Sequence, residues 1–224
     1  MIIRIICLCL CLAATNVHAY SKIYNRNYTV SEVIFPNECR LKINNAACEH
    51  IAARFVQDFE RDRVLEVNDN IDFDSLDNIN IAKGTQKIEL RMVHNAMKNI
   101  ITLYAISRRS VEGMQSITID VFNVLPDENM RSISFDELFE KPDRAKMIIA
   151  REVQKVFGKN NTLLLPVEIS LIQVAPANFA VTKDGLHFFF APGRVSQTKK
   201  AFDLLKIDLS LLGKARPNLK YWNE

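Results

Sequence analysis

The sequence predicts an α+β fold, with antiparallel sheet and at least two helices on one sheet face. Three observations carry it. Segments of strict two-residue alternation, such as "QKIELRMV" (86–93), are interspersed with segments of helical period, such as "NNAACEHIAARFVQDFERD" (44–62). The alternating segments come in runs joined by short polar connections, as in an antiparallel meander. Beyond the first residues, no apolar stretch is long enough to cross a membrane.

The elements follow in chain order. Arg4, the apolar run "IICLCLCLAA" and the small residues of "VHA" (17–19) read as an export leader over 1–19, cleaved after Ala19. Cys9 and Cys11 follow leucines, which argues against lipidation. With the leader removed no membrane anchor is expected, so the chain is placed in a periplasm or outside the cell. The mature chain divides into a strand–helix unit (20–84), an α+β unit (85–213) and a loosely ordered tail (214–224).

"KIYNRNYTVSEVIF" (22–35) is rich in β-branched and aromatic residues and reads as extended up to Pro36. An amphipathic helix follows, capped by Asn44 or Asn45, with Cys48, Ile51, Ala52, Phe55 and Phe59 on its apolar face. "EVNDNIDFDSLDNINIAKG" (66–84) resembles a calcium loop in its aspartates only. The required ligand spacing, central glycine and closing glutamate are missing, so it reads as a solvated connector.

Three strands come next. In the first, Ile88, Leu90 and Met92 face in, while Lys87, Glu89 and Arg91 face out. "NIITLYAIS" (99–107) is more apolar, and "QSITIDVFNV" (115–124) alternates through Ile117, Ile119 and Val121. The connections "HNAMK" and "RRSVEGM" read as loops. In "SISFDELFEKPDRAKMIIAREVQKVFGK" (132–159), Ser134 and Glu137 have capping-box spacing. Pro142 starts a second helix with Ile149, Val153, Val156 and Phe157 inward, and Gly158 closes it. "NNTLLLPVEISLIQVAPA" (160–177) reads as a loop with a short element. Asp184-Gly185 signals a tight hairpin that pairs Val181 with Phe188 and Phe179 with Phe190 on one face. Thr182, His187, Ala180 and Phe189 share the other, exposed face. "LLKIDLSLL" (204–212) is the last strand, with Ile207, Leu209 and Leu211 inward.

The net charge of +3 and the pI near 8.6, without a basic tract, argue against nucleic acid as a partner. There is no P-loop, dinucleotide fingerprint, nucleophile elbow or H-E-x-x-H, so neither a cofactor nor a metal is expected. His50, His94 and His187 show no metal-ligand spacing. Cys39 and Cys48 remain after leader removal, and in an oxidising compartment they predict a disulfide; two buried free thiols are the alternative. Carboxylates such as those of "DFERD" and "FDELFE" read as solvated helix faces. A pair held across a cleft would be the enzymatic alternative.

"SISFDELFEKPDRAKMIIAREVQKVF", "NFAVTKDGLHFFFAP" and "LLKIDLSLL", in that order, resemble the RsiV-like extracytoplasmic domain family. That family comprises the outer part of lysozyme-sensing anti-sigma factors and an accessory domain of some peptidoglycan deacetylases. "RNYTVSEVIFP" and "INNAACEHIAARF" are similar to the smaller unit that precedes it. The chain departs from the family at "RRSVEGMQS", where the family has a glycine- and histidine-containing loop, and at "APGRVSQTKKA", which lacks a family tyrosine.

The resemblance implies a non-catalytic binding protein of the bacterial envelope, recognising a cell-wall glycan, lysozyme or an envelope protein. Contacts are expected on loops 108–114 and 192–199 and on the hairpin face: Arg108, Arg109, Glu112, His187, Phe189 and Arg194. Lysozyme is the least favoured partner, because lysozymes are usually strongly basic and so are these loops. An enzyme acting on peptidoglycan or another envelope polymer through carboxylates is the alternative.

Overall fold

The computed structural model describes residues 19–70, 83–127, 130–158, 170, 176–195 and 202–222, with side chains of the first helix described as far as Glu66. Residues 1–18 of the expected leader, positions 71–82 of the connector and nearly all of 160–175 lie outside the described residues.

The fold is α+β, built on two sheets. One has five strands: β1 (Tyr20–Asn25), β2 (Thr29–Phe35), β3 (Gly84–Met92), β4 (Ile101–Val111) and β5 (Met114–Val124), in spatial order 1-2-3-4-5. The other has three: β6 (Phe179–Thr182), β7 (Gly185–Phe190) and β8 (Asp203–Asp208). The extended stretch before Pro36 is thus a hairpin, because "NRN" turns the chain and Tyr20 pairs with Phe35.

Helix α1 (Lys42–Asn70) crosses from the end of β2 to the start of β3, so these two strands run parallel and the sheet is mixed, where antiparallel runs were expected. A long crossover is what a parallel pair requires. The sheet takes strands from both sides of residue 84. The helix starts before Asn44, and Asn44 and Asn45 donate backward to the carbonyls of Glu38 and Cys39. Cys39 and Cys48 form a disulfide that ties the turn Asn37–Arg40 to the first part of α1. Closing so short a loop stabilises the fold by roughly 2–3 kcal/mol through the unfolded chain.

Alternation now assigns faces. Val33, Phe35, Ile88, Leu90, Leu103, Ala105 and Val124 meet Ile51, Ala52, Phe55 and Val56 of α1. Buried Gln86 crosses this face: Ser31 donates to its Oε1 at 3.1 Å, and its Nε2 donates to Ser107 at 2.9 Å. These bonds fix the register of three strands, since a slip would strand buried polar atoms. Ile106, Ile119 and Val93 lie on the opposite face and pack on Ala180 and Phe189 of the second sheet. The meander therefore buries parts of both faces, where one buried face was expected. Ile117, read as inward, is exposed.

Helix α2 (Pro142–Phe157) begins at Pro142 as expected and covers the outer face of the second sheet through Ala145, Ile149, Val153 and Phe157. The two helices thus serve different sheets, where helices on one sheet face were expected. Val156 is exposed, and its place in the stripe goes to Ala150. Only half of the capping box forms: the Ser134 N–H donates to Glu137 Oε1 at 3.1 Å, but the Ser134 hydroxyl donates to the same oxygen at 2.9 Å, and only a 3-10 turn follows.

The hairpin register differs from the expected one by two residues. Phe179 faces Phe188 and Val181 faces Leu186, so Lys183 and Asp184 make the turn and Gly185 opens β7. A shift of two preserves the face of every side chain. Glycine is required there because φ is +141° and a Cβ would sit 2.2 Å from the Ile207 carbonyl oxygen of β8. After β8 the chain turns helical at Leu209–Leu212, which leaves Leu211 exposed and buries Leu212.

Residues 214–222, within the stretch 214–224 expected as a loose tail, dock instead. Backbone bonds join 138–141 to 215–218, Tyr221 is buried, and Trp222 Nε1 donates to the Thr182 carbonyl at 3.1 Å. Glu137 anchors the docking: Arg131 donates to it at 2.6 Å and the Tyr221 hydroxyl at 2.9 Å. Chiefly the Arg131 bond, helped by those from Ser134 and Tyr221, lowers its pKa from near 4.5 to about 2.

Two stability predictions follow from these contacts. Gly185→Ala is expected to cost at least about 3 kcal/mol in denaturant unfolding, because positive φ and a backbone clash coincide. Glu137→Gln is expected to cost about 1–2 kcal/mol near neutral pH. Because the folded pKa of Glu137 is depressed, its contribution is present above pH 4.5 and fades as pH falls towards 2. The stability gap between the native protein and Glu137→Gln should narrow over that window.

Candidate functional site

The second sheet covers only part of the five-stranded sheet. The junction is made at the edge strand β5 by asparagine side chains. Asn178 Nδ2 donates to the Ile119 carbonyl at 2.8 Å and its Oδ1 accepts from the Val121 N–H at 3.2 Å. Asn123 does the reverse: its Nδ2 donates to the Phe179 carbonyl at 2.7 Å and its Oδ1 accepts from the Val181 N–H at 2.9 Å. Asn178 holds a left-handed backbone at φ +54°, a conformation that asparagine tolerates better than most residues.

Beyond this junction the same sheet face is open. A concave surface of about 380 Å³ crosses β2 to β5 there, lined by Glu32, Thr85, Lys87, Arg108, Ser110 and Ile117 among others. Lys87 and Arg108 lie directly opposite each other on β3 and β4, and Arg108 in turn faces Ile117 on β5. Like charges in cross-strand positions oppose pairing. Glu32 offsets Lys87 at 3.2 Å. The Arg108 side chain makes no ion pair or hydrogen bond among the described residues.

Arg109, one residue on, points to the α1 side. It donates to Asp62 at 3.0 Å and lies over the Phe59 ring at 4.9 Å. A second cleft of about 280 Å³ opens there between α1 and the edge of β5, lined by Arg54, Asp58, Arg61, Asp62, Thr118 and Asp120 among others. Burial raises the pKa of Asp120, against the pull of Thr118, Arg109 and Arg54. Arg61 reaches both Asp58 and Asp62, at 3.1 and 3.6 Å, so the cleft holds both signs of charge.

The other expected contacts are placed as follows. Residues 108–114 are not a loop: β4 and β5 pair as far as Val111 and Met114, and only Glu112 and Gly113 turn, both with positive φ. Glu112 accepts from Arg63 at 3.0 Å. Phe189, expected on an exposed face, is buried between the sheets against Tyr104 and Phe202, with ring centroids 5.1 and 5.2 Å away. Thr182 and Ala180 beside it are also buried, because this hairpin face is the one laid on the first sheet. His187 is half-buried, and its pKa is lowered, first by burial and then by the charge of Lys206. Arg194 is exposed in the segment after β7; positions 196–200 of the expected loop lie outside the described residues. Neither His187, Phe189 nor Arg194 lines the open surface. Among the described residues, no three His, Cys, Asp or Glu side chains are grouped to hold a metal ion, and no helix is long and apolar enough to cross a membrane.

Missed by sequence reasoning were Lys87, read only as outward-facing, and the two asparagines, which carry no motif. Continuing the alternation of β4 through Arg108 would have found the open face.

No family model matches the chain, and no curated protein does. Likeness to solved structures is found at low identity. A DUF3298-family protein from Bacteroides fragilis superposes with a TM-score of 0.51 at 14% identity, covering 89% of this chain and 93% of that one. A DUF3298-family protein from Pseudomonas aeruginosa gives a TM-score of 0.48 at 12% identity, covering 90% and 96%. At these identities the likeness speaks for the fold alone, with the first carrying it.

The neighbouring arginines are expected to separate on substitution. Arg109→Ala should cost about 1–2 kcal/mol in thermal or denaturant unfolding, through its ring contact and ion pair. Arg108→Ala should stay within about 0.5 kcal/mol of the native protein.

Proposed function

We propose that this chain is a non-catalytic binding protein of the bacterial envelope, and that its partner docks on the open half of the five-stranded sheet. The observation that carries this reading is Arg108: a cation without a partner among the described residues, set opposite Lys87 and beside exposed Ile117. A folded protein loses stability by facing like charges across two strands, and an anionic partner removes that cost. The Cys39–Cys48 disulfide supports an oxidising, extracytoplasmic setting. Among the partners the RsiV-like resemblance suggests, an anionic glycan or an acidic envelope protein suits this surface, and a basic lysozyme suits it less. Arg109 and Glu112 contribute by holding the β4–β5 hairpin to α1, since both bond to helix side chains.

The enzymatic alternative has one observation in its favour, the raised pKa of Asp120 in a cleft that also holds Asp58 and Asp62. Its test is release of fragments or acetate from peptidoglycan by the purified protein, abolished in Asp120→Asn.

The binding reading is tested by recovering partners from envelope extracts with the native protein and with Arg108→Glu. Recovery of the same partner is expected to fall at least about tenfold in the variant, whose unfolding midpoint should be no lower than the native one, since the new carboxylate would face Lys87. Equal recovery by both would remove the open face from the account.

A further inference from the structure

We infer that the free lower edge of β5, Met114–Thr118, accepts an extended acidic peptide segment of another protein as a sixth strand. This rests on the binding function proposed for the neighbouring face and gives it a partner class and a binding mode.

The outward backbone groups of β5 are identified by the junction. Asn178 bonds the Ile119 carbonyl and the Val121 N–H, and the Ile133 N–H donates to the Asn123 carbonyl, so odd-numbered residues point away from β4. The β4–β5 register runs without a bulge from Ile101–Val124 to Val111–Met114. Gln115 and Ile117 must therefore also aim N–H and C=O outward, and no partner meets them among the described residues. The chain already satisfies the upper half of this edge with its own amides, and among the described residues the lower half offers the same groups unmet.

Edge strands are normally blunted by charge, proline or a bulge. The opposite edge, β1, carries Lys22 paired to Glu49. The stretch "MQSIT" (114–118) has none of these devices, and Met114 and Ile117 are exposed. Strand addition also needs recesses for alternate side chains on the two sheet faces, and both are present. Side chains on one face would enter the surface that holds Arg108 and Ile117, and those on the other the cleft beside Thr118 and Phe122. Arg108 selects carboxylates for the first set, while the second recess is of mixed charge. Asn178 limits the added strand to the part of the edge below Ile119.

The test is amide hydrogen exchange and chemical-shift mapping on the purified protein. The probe is a capped hexapeptide of alternating Glu and Val, with a Lys–Val analogue and a proline-interrupted Glu–Val analogue as controls. The Glu–Val peptide is expected to slow exchange of the Gln115 and Ile117 amides at least about tenfold, and neither control should do so. Arg108→Glu should reverse the preference between the Glu and Lys peptides. Ile117→Pro removes one outward N–H at an edge, where proline is tolerated, and should weaken binding with the unfolding midpoint retained. Binding that depends on Arg108 but leaves both edge amides unprotected would overturn strand addition and keep the open-face reading. Absence of binding, or binding indifferent to both substitutions, would overturn strand addition, while partner recovery with Arg108→Glu tests the open face separately. Protection that grows with protein concentration and without peptide would assign the edge to a second copy of the chain and overturn the proposal.

Discussion

The reciprocal amide bonds of Asn123 and Asn178 are the constraint on which the rest of the structure depends. They fasten the second sheet to the edge of the first at Ile119–Asn123. Each asparagine presents to a strand what another strand would present, one donor and one acceptor in fixed geometry. Being at least partly buried, these bonds are costly to leave unmade. The apolar contacts of Phe189, Ile106 and Ile119 then hold the sheets face to face, but such contacts are not directional and do not by themselves choose a register.

That placement decides what the surface can do. Had the second sheet reached two residues further along β4 and β5, Arg108 would be buried beside Lys87, at a desolvation cost. Stopping at Asn178 leaves both cations in solvent and leaves the lower edge of β5 unpaired among the described residues. The open face, the cleft beside α1 and the free edge thus share one origin, the point where the junction ends. On the other side of the second sheet, α2 and the docked C-terminal segment complete the core against the hairpin.

Much of this was legible in the sequence, for reasons that also mark the limit. Ile88, Leu90 and their charged neighbours alternate strictly because one face of β3 meets α1, so the strand and its inward side could be read directly. Cys39 and Cys48 were readable because a chain read as exported leaves a pair little else to do. What periodicity cannot supply is the element that covers a face. Phe188 and Phe189 are the same residue type on opposite faces, and both are buried, since one meets the α2 side and the other the first sheet. Reading Phe189 as exposed assumed a one-sided hairpin. Arg108 and Arg109 looked alike in a supposed loop, although strand alternation sends one to solvent and the other to Asp62. Tyr221 and Trp222 in the expected tail were a neglected sign of docking, because large aromatic residues gain most from burial. The parallel pairing of β2 with β3 was hidden because pattern records a strand and not its neighbour.

Residue-resolved amide exchange along β5 of the unliganded protein tests the central claim most directly. The claim is that Asn178 marks where cover of this edge stops. The Val121 amide should then exchange slowly, with the core, while those of Gln115 and Ile117 exchange at rates typical of open edges. Asn178→Ala should release Val121 specifically. Uniform protection from Gln115 to Val121, or a Val121 amide indifferent to Asn178→Ala, would contradict the account.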